Sequence, residues 1–286
     1  LSLGERGQKI HDCICPLSLR ERARERANYL YNPSKNNTMK PTVFISDLHL
    51  APDLARVSQG FLTLMQQLQG QCHALYVLGD LFEAWVGDDN QSDYNQQIIH
   101  AFRQLSDGGT ALYFVHGNRD FLLGEDFAQA CGGQLLGERT VIQLPQQLPQ
   151  QQILIEHGDA LCTRDEKFMA FRQQSRHPLW QQTMLAKPLT ERLQIAELWR
   201  LQSKMQNSNK SENIMDVTPE AVTEMLKTHQ VTVLLHGHTH RPTIHDLVID
   251  GQAAKRIVLG DWQEETGSAV IGIANETGIR LENYCF

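Results

Sequence analysis

A layered α/β fold with two sheets, helices on their outer faces and one helical insertion is predicted by three features of this 286-residue chain. Short β-branched and aromatic runs alternate with helical patterns through its central part. Four further strand-like runs follow one another towards the C-terminal end, which points to a second, more antiparallel sheet. Between these regions, residues 165–215 carry apolar side chains at near-helical spacing with no strand candidate, the pattern of an inserted helical segment.

Val43 to Ile45, Leu75 to Leu78, Leu112 to Val115, Ile153 to Ile155 and Val231 to Leu235 are runs of buried-strand type. Phe61 to Leu68, Tyr94 to Leu105 and Ala221 to His229 have helical periodicity and alternate with them. Thr243 to Ile249, Lys255 to Leu259, Ser268 to Ile273 and Gly278 to Asn283 form the C-terminal strand series. The Gln- and Pro-rich stretch from Leu144 to Gln152 reads as a hairpin tip. Within the insertion, Phe168, Phe171, Leu179, Trp180, Met184, Leu185, Leu193, Leu198 and Trp199 either form a small core of their own or line an apolar groove. The two readings can hold for different faces.

Each of the first five strands ends on residues of metal-ligand type. Asp47-Leu48-His49, Gly79-Asp80, Gly117-Asn118-Arg119-Asp120, Glu156-His157-Gly158-Asp159 and Gly237-His238-Thr239-His240 follow them in turn. Carboxyl ends of strands form the ligand-binding edge of an open α/β sheet, so five such ends are expected to converge on one crevice. One such run is common in ordinary loops, but five in the same context point to a single dinuclear metal site.

Composition bounds the remaining possibilities. With 41% hydrophobic residues the chain can bury a full core, and a formal net charge of −7 argues against nucleic acid as its main partner. Six dispersed cysteines form no CxxC pair or regular framework, which suits a reducing cytoplasm. No apolar stretch approaches the ~18 residues of a membrane span, so membrane contact is expected to be peripheral. Residues 1–38, with the alternating run Arg20 to Arg26 and a polar tract after it, read as a leader outside the fold, non-native or disordered. The alternative is a short basic helix touching anionic lipid. Residues 39–286 then form the folded domain.

The ordered motifs DxH, GD, GN[HR]D, H and GHxH resemble those of the calcineurin-like metallophosphoesterases, over residues 41 to about 265. The sharper resemblance is to the bacterial UDP-2,3-diacylglucosamine diphosphatases of lipid A biosynthesis. It is carried by the runs from Leu78 to Asp89, His116 to Gly124, Ile214 to Val217 and His236 to Pro242. This resemblance implies a two-sheet αββα sandwich whose helical insertion acts as a lid.

It further implies that Asp47, His49 and His240 hold one metal, that Asn118, His157 and His238 hold the other, and that Asp80 bridges them. The oxygen and imidazole donor set suits Mn²⁺, with Fe or Zn chemically tolerable. Two such ions would activate water for attack on phosphorus and neutralise the leaving oxygen. Asp80, Asn118, Arg119 and His238 are the implied catalytic residues. Substrate contacts carried over are Asn118, Arg119, Asp165, Ser203, Asn207, Lys210 and His238.

Arg119 departs from the many members of the wider superfamily that carry His there. Arg stays charged and cannot act as a general acid, so the leaving group should need no protonation. A phosphate leaving from a diphosphate meets that condition. The implied activity is hydrolysis of UDP-2,3-diacylglucosamine to UMP and 2,3-diacylglucosamine 1-phosphate, on the cytoplasmic face of a Gram-negative inner membrane. A nucleotide-sugar diphosphatase without acyl specificity and a non-catalytic binding module on the same fold are the alternatives. Of the other polar residues, His236 and His116 are read as orienting or satisfied core histidines, and Asp120 as a loop hydrogen-bonder. Trp85 and the Gly87-Asp88-Asp89 turn are read as structural, with a rim role open. His73, His100, His177, His229 and His245 are read as surface or capping residues.

Overall fold

In the computed structural model, which describes residues 39–146, 151–207 and 216–286, strand alternation sorts the apolar side chains into two layers. Along β2 (Ala74–Leu78), Ala74, Tyr76 and Leu78 face the interior between two sheets, while Leu75 and Val77 are buried on the opposite face. Side chains of β1 (Thr42–Ile45) and β3 (Ala111–Val115) divide in the same way, and Tyr76 stacks on Phe44 and Tyr113 at 5.2 and 4.6 Å. From the other sheet, β5 (Arg139–Leu144), β6 (Gln151–Glu156), β7 (Val233–His236) and β9 (Gln252–Val258) contribute Ile142, Ile153, Ile155, Leu235 and Ile257 to the shared core. Each such buried side chain contributes roughly 1.5–3 kcal/mol.

Helices cover both outer faces. Phe61 of α1 (Ala55–Leu68), Phe102 of α2 (Asp93–Asp107) and Phe127 of α3 (Glu125–Cys131) join Phe114 in an edge-to-face chain behind the first sheet. Later in the chain α7 (Pro219–Thr228) packs Val222 and Leu226 against Leu154, Leu234 and Ala254 of the second. The αββα sandwich is therefore as expected.

Its strand assignment corrects two expectations. The six-stranded sheet has the order β11-β10-β1-β2-β3-β4, with β4 at Gln134–Leu135, β10 at Ser268–Asn275 and β11 at Gly278–Cys285, and the five-stranded sheet the order β5-β6-β7-β9-β8, with β8 at Thr243–Ile249. The five motif-bearing strands thus do not share one sheet: β1, β2 and β3 lie in the first, β6 and β7 in the second. The C-terminal series does not make the second sheet alone either. β10 (Ser268–Asn275), buried on both faces from Ile271 to Ala274, pairs with β1 and carries β11 (Gly278–Cys285) to the edge. β8 (Thr243–Ile249), mostly exposed, suits the edge of the second sheet beside β9. A strand's neighbours follow from how many of its faces are apolar, which local periodicity understates.

β5 and β6 pair antiparallel with Leu144 opposite Gln151, so the Gln-rich stretch does join a hairpin. Buried Gln146 donates Nε2 to the Lys40 carbonyl and Thr42 Oγ1. The insertion contains α4 (Glu166–Ser175), α5 (Pro178–Leu185) and α6 (Leu189–Asn207), with no strand among its described residues. His177 caps α5, and His229 Nδ1 donates to the Met225 carbonyl in the last turn of α7. Cys72 and Cys131 are buried free thiols. Among the described residues no helix is long and apolar enough to cross a membrane. The leader 1–38 lies outside the described residues.

Candidate active site

The C-terminal ends of β1, β2, β3, β6 and β7 meet in the cleft between the two sheets, and the loops there depart from ordinary backbone geometry. Among the described residues seven non-glycine residues have positive φ, and five of them are Asp47, His49, Asp80, His238 and His240. Left-handed backbone at such residues costs on the order of 1–3 kcal/mol each and persists where surrounding structure enforces it. The loops hold one another. Asp47 N donates to the Gly79 carbonyl at 3.1 Å, His49 N to the Asp80 carbonyl at 3.0 Å and Gly237 N to the His157 carbonyl at 2.9 Å. Gly117 is required by proximity, since a Cβ there would stand 2.1 Å from Asp80 N.

Asp120 organises the same junction without reaching Arg119. Its carboxylate accepts from the amides of Asp80, Leu81 and Gly117 at 3.3, 2.7 and 2.7 Å.

Ligand-type atoms gather in two overlapping groups, Asp47 with His49 and His240, and Asp47 with Asp80 and His157, each with atoms within 4.8 Å of one another. The two oxygens of Asp80 face both ways, Oδ2 lying 3.8 Å from His49 Nε2 and Oδ1 3.6 Å from His157 Nε2. Asn118 Oδ1 is 3.0 Å from His157 Nε2, and the His238 ring stands 5.0 Å from that of His157. His240 Nε2 is 3.3 Å from Asp47 Oδ1.

These donors fit divalent cations. His157 Nδ1 lies 2.8 Å from the Leu78 carbonyl, which can only accept, so Nδ1 carries a proton and Nε2 is the nitrogen a cation would take in place of a second proton. Nε2 faces Asn118 Oδ1 and Asp80 Oδ1, and a cation there would be shared by all three. Buried His49 Nε2 has no hydrogen-bond partner, and buried Asp47 Oδ1 faces His240 Nε2 at 3.3 Å. With oxygen and imidazole donors and no thiolate in the set, the site suits hard or borderline ions.

Protonation without metal follows the same crowding. Burial acts to raise the Asp47 carboxyl, but its bond to His240 and the charges of His157, His240 and His49 hold it far below the usual range. Burial pushes Asp80 up against the pull of His157 and His49. His240 is raised to about 9, because its bond to Asp47 and the charges of Asp47, Asp261 and Asp80 outweigh burial. His238 is lowered to about 3 by burial and the charge of His157, so it is neutral near pH 7.

A cavity of about 530 Å³ opens from these groups towards the insertion. Asn118, Arg119, Asp165, Arg200 and His238 line its polar end, and Trp85, Phe121, Phe168, Phe171, Met184 and Trp199 its apolar end. Trp180 and Trp199 stack at 5.7 Å, with Phe171 edge-on to Trp199 at 5.5 Å. Leu179 and Leu198, each 64% exposed, face away from that cluster. The insertion therefore contains both an aromatic core and a groove wall. Asp165 caps α4 through Phe168 N at 3.2 Å while facing the cavity. Ser203 and Asn207 fall on α6, but their side chains, and Lys210 entirely, lie outside the described residues.

Sequence reasoning gave no role to Glu83 and Arg192, which shape this site, and read the Gly87-Asp88-Asp89 turn as structural. Glu83 lies 3.0 Å from His49 Nδ1, 3.2 Å from Arg200 Nε and 4.0 Å from Arg119 Nη1. Its place three residues after Asp80 was a usable signal, because the chain turns back over the site there. Asp88 accepts from Trp85 Nε1, Gly124 N and Phe127 N, so the turn after the motif fastens the start of α3. Arg192 of α6 docks on the same turn through Asp89. His236 is fully buried, and His116 Nε2 bonds the Leu123 carbonyl at 2.6 Å.

Comparison with known proteins agrees with this geometry. The family model described as calcineurin-like phosphoesterase matches residues 40–242. The chain is similar to the UDP-2,3-diacylglucosamine hydrolase of Chromohalobacter salexigens, at 46% identity over 86% of this chain and 98% of that protein. It is similar to the protein of the same name from Klebsiella pneumoniae, at 47% identity over 80% of this chain and 93% of the relative. Among solved structures, vacuolar protein sorting 29 from Cryptosporidium parvum is similar at a TM-score of 0.44 and 11% identity, over 87% of this chain and all of that one. On the family model and these relatives, the chain belongs to the calcineurin-like phosphoesterase family.

Proposed function

We propose that this protein hydrolyses the diphosphate of UDP-2,3-diacylglucosamine to UMP and 2,3-diacylglucosamine 1-phosphate, with Mn²⁺ as its metal. The observation that carries this reading is the cavity itself, which joins a buried cluster of carboxylate, amide and imidazole acceptors to an aromatic wall on the insertion. The names of the relatives supply the substrate.

Asp47, His49 and His240 would hold one ion, Asn118, His157 and His238 the other, with Asp80 between them. Bound there, the ions supply an activated water and neutralise charge on the leaving oxygen. Arg119 donates its backbone amide to Asp80 Oδ1 at 2.8 Å, which fixes the start of its side chain at the site. Its guanidinium and that of Arg200 present donor forks at the polar end of the cavity, a geometry matched to phosphate oxygens. Neutral His238 can accept or donate at the reacting phosphate. Asp165, Ser203, Asn207 and Lys210 are assigned to the sugar and phosphate portions.

The aromatic wall shelters acyl chains, at about 0.8 kcal/mol for each methylene removed from water. A lipid substrate places the enzyme peripherally on the cytoplasmic face of a Gram-negative inner membrane. Trp199→Ala tests the reading. It should raise KM for the diacylated substrate about tenfold, the equivalent of ~1.4 kcal/mol, and leave any cleavage of unacylated UDP-N-acetylglucosamine unchanged. An equal effect on both substrates would favour a diphosphatase without acyl specificity.

A further inference from the structure

The insertion and the loop bearing Asn118 and Arg119 meet at one guanidinium. Arg176 follows the last turn of α4 and its side chain is only 11% exposed. Its Nη2 donates to the Gly117 carbonyl at 2.8 Å, and its Cζ lies 5.5 Å from the centre of the Phe121 ring. These contacts grip both ends of the five-residue run Gly117-Asn118-Arg119-Asp120-Phe121. At its back, Nε lies 3.1 Å from Glu138 Oε1 and Nη2 3.6 Å from Asp159 Oδ2. Phe121 in turn contacts the insertion's aromatic cluster, 6.0 Å from Trp180 and 6.5 Å from Phe171.

We propose that Arg176 is a positioning residue that couples occupancy of the aromatic wall to the placement of Asn118 and Arg119, so that acyl chains raise turnover as well as affinity. The inference rests on the diphosphatase reading above. A planar fork can hold a carbonyl, two carboxylates and a ring face at once, whereas a lysine ammonium cannot span them. A chain pressed on Phe121 meets a ring backed by a fixed cation, and that restraint is carried along the loop to Gly117. Binding of a remote part of the substrate thereby orients the reacting end.

The test compares wild type, Arg176→Met and Arg176→Lys, each loaded with Mn²⁺ and checked for metal content, on UDP-2,3-diacylglucosamines of long and short acyl chains. Wild type should show a higher kcat on the long-chain substrate. Arg176→Met should lower that kcat by about tenfold or more, shift KM by less than about threefold, retain its metal and abolish the dependence of kcat on chain length. Arg176→Lys, which keeps the charge and serves if the Met variant does not fold, should reduce the long-to-short kcat ratio without restoring it. Glu138→Gln, which loosens the ion pairs but leaves Gly117 held, should preserve the ratio. An unchanged kcat ratio in Arg176→Met, or in the Lys variant where that alone folds, overturns the proposal. So does a wild-type kcat that is independent of chain length, which leaves the diphosphatase reading standing. No hydrolysis by wild type of any acylated substrate defeats that reading itself.

Discussion

Gly87→Ala sets one methyl group against the joint that fastens α6 to the rim of the site. Gly87 has φ of 133°, and a Cβ there would stand 2.3 Å from Arg192 Nη1. Backbone in that region costs a non-glycine residue about 1–3 kcal/mol. Arg192, whose side chain is 3% exposed, donates to the carbonyls of Val86 and Lys187 and forks onto Asp89. Asp89 is 59% exposed, so its pairing is discounted to ~0–1 kcal/mol. Displacing the guanidinium from the Val86 carbonyl loses one charge-assisted bond, about 1.5–3 kcal/mol. Strain and lost bonding together give a destabilisation of about 3–5 kcal/mol, or a fall in Tm of roughly 10 °C for a domain of this size. Urea unfolding of the chelator-treated protein reads the first and a thermal scan the second.

In an Arg192→Met background the methyl should cost the backbone strain and its contacts with Asp89 and Leu185 but no longer displaces the guanidinium, so a double-mutant cycle isolates the joint. Since α6 carries Trp199 and Arg200 to the cavity, KM for the acylated substrate should also rise. A loss below ~1 kcal/mol in Gly87→Ala, or the same loss in both backgrounds, would show that Arg192 does not fasten α6 to this turn.

Metal uptake should release protons. Without metal His240 holds its proton up to about pH 9, and a cation requires the neutral ring. Titration calorimetry at about pH 7.5 in buffers of different ionisation enthalpy should count at least one proton released per chain. A count of zero would contradict the site. Asp159, 2.8 Å from Arg172, is held below the usual carboxylate range: burial opposes the charge, but His157, Arg172 and Arg176 outweigh it. Its stabilisation is complete above the unfolded value of about 3.9 and is lost as pH falls through the depressed native value. Asp159→Asn should therefore be destabilised by about 3 kcal/mol at neutral pH, with a gap to wild type that narrows below about pH 4. A gap constant across that range would count against the ion network. Arg119→Ala should keep both metals and lose about a hundredfold in kcat/KM, from ~3 kcal/mol of charged bonding. Loss of metal in that variant would remove Arg119 from the phosphate.

Much of the candidate site was legible because its ligand-type residues come as close pairs at strand ends. Asp47 with His49 and His238 with His240 each sit on a single loop, so their convergence needed only the rule that strand ends face a common edge. Which sheet each strand joins was not legible, since β8 and β10 both read locally as strands and their places depend on how many of their faces distant elements cover. The left-handed backbone of the five ligand-type residues is enforced by tertiary contacts; Asp and His tolerate it better than most non-glycine residues, but that tolerance does not mark which of them adopt it. Glu83, Arg176 and Arg192 were missed because their partners are distant in the chain. Arg192 meets Val86 across 106 positions and Arg176 meets Gly117 across 59. Nor did the insertion's pattern separate Trp180 and Trp199, stacked inside, from Leu179 and Leu198 on the exposed side, because apolar residues surround its helices.

UMP release from UDP-2,3-diacylglucosamine, with Mn²⁺ and with chelator, beside unacylated UDP-N-acetylglucosamine, reads out the metal site and the aromatic wall together. Metal-dependent release from the acylated substrate alone is expected. Equal cleavage of both substrates would contradict the role of the aromatic wall, and no release from either would contradict the assignment of a hydrolytic site.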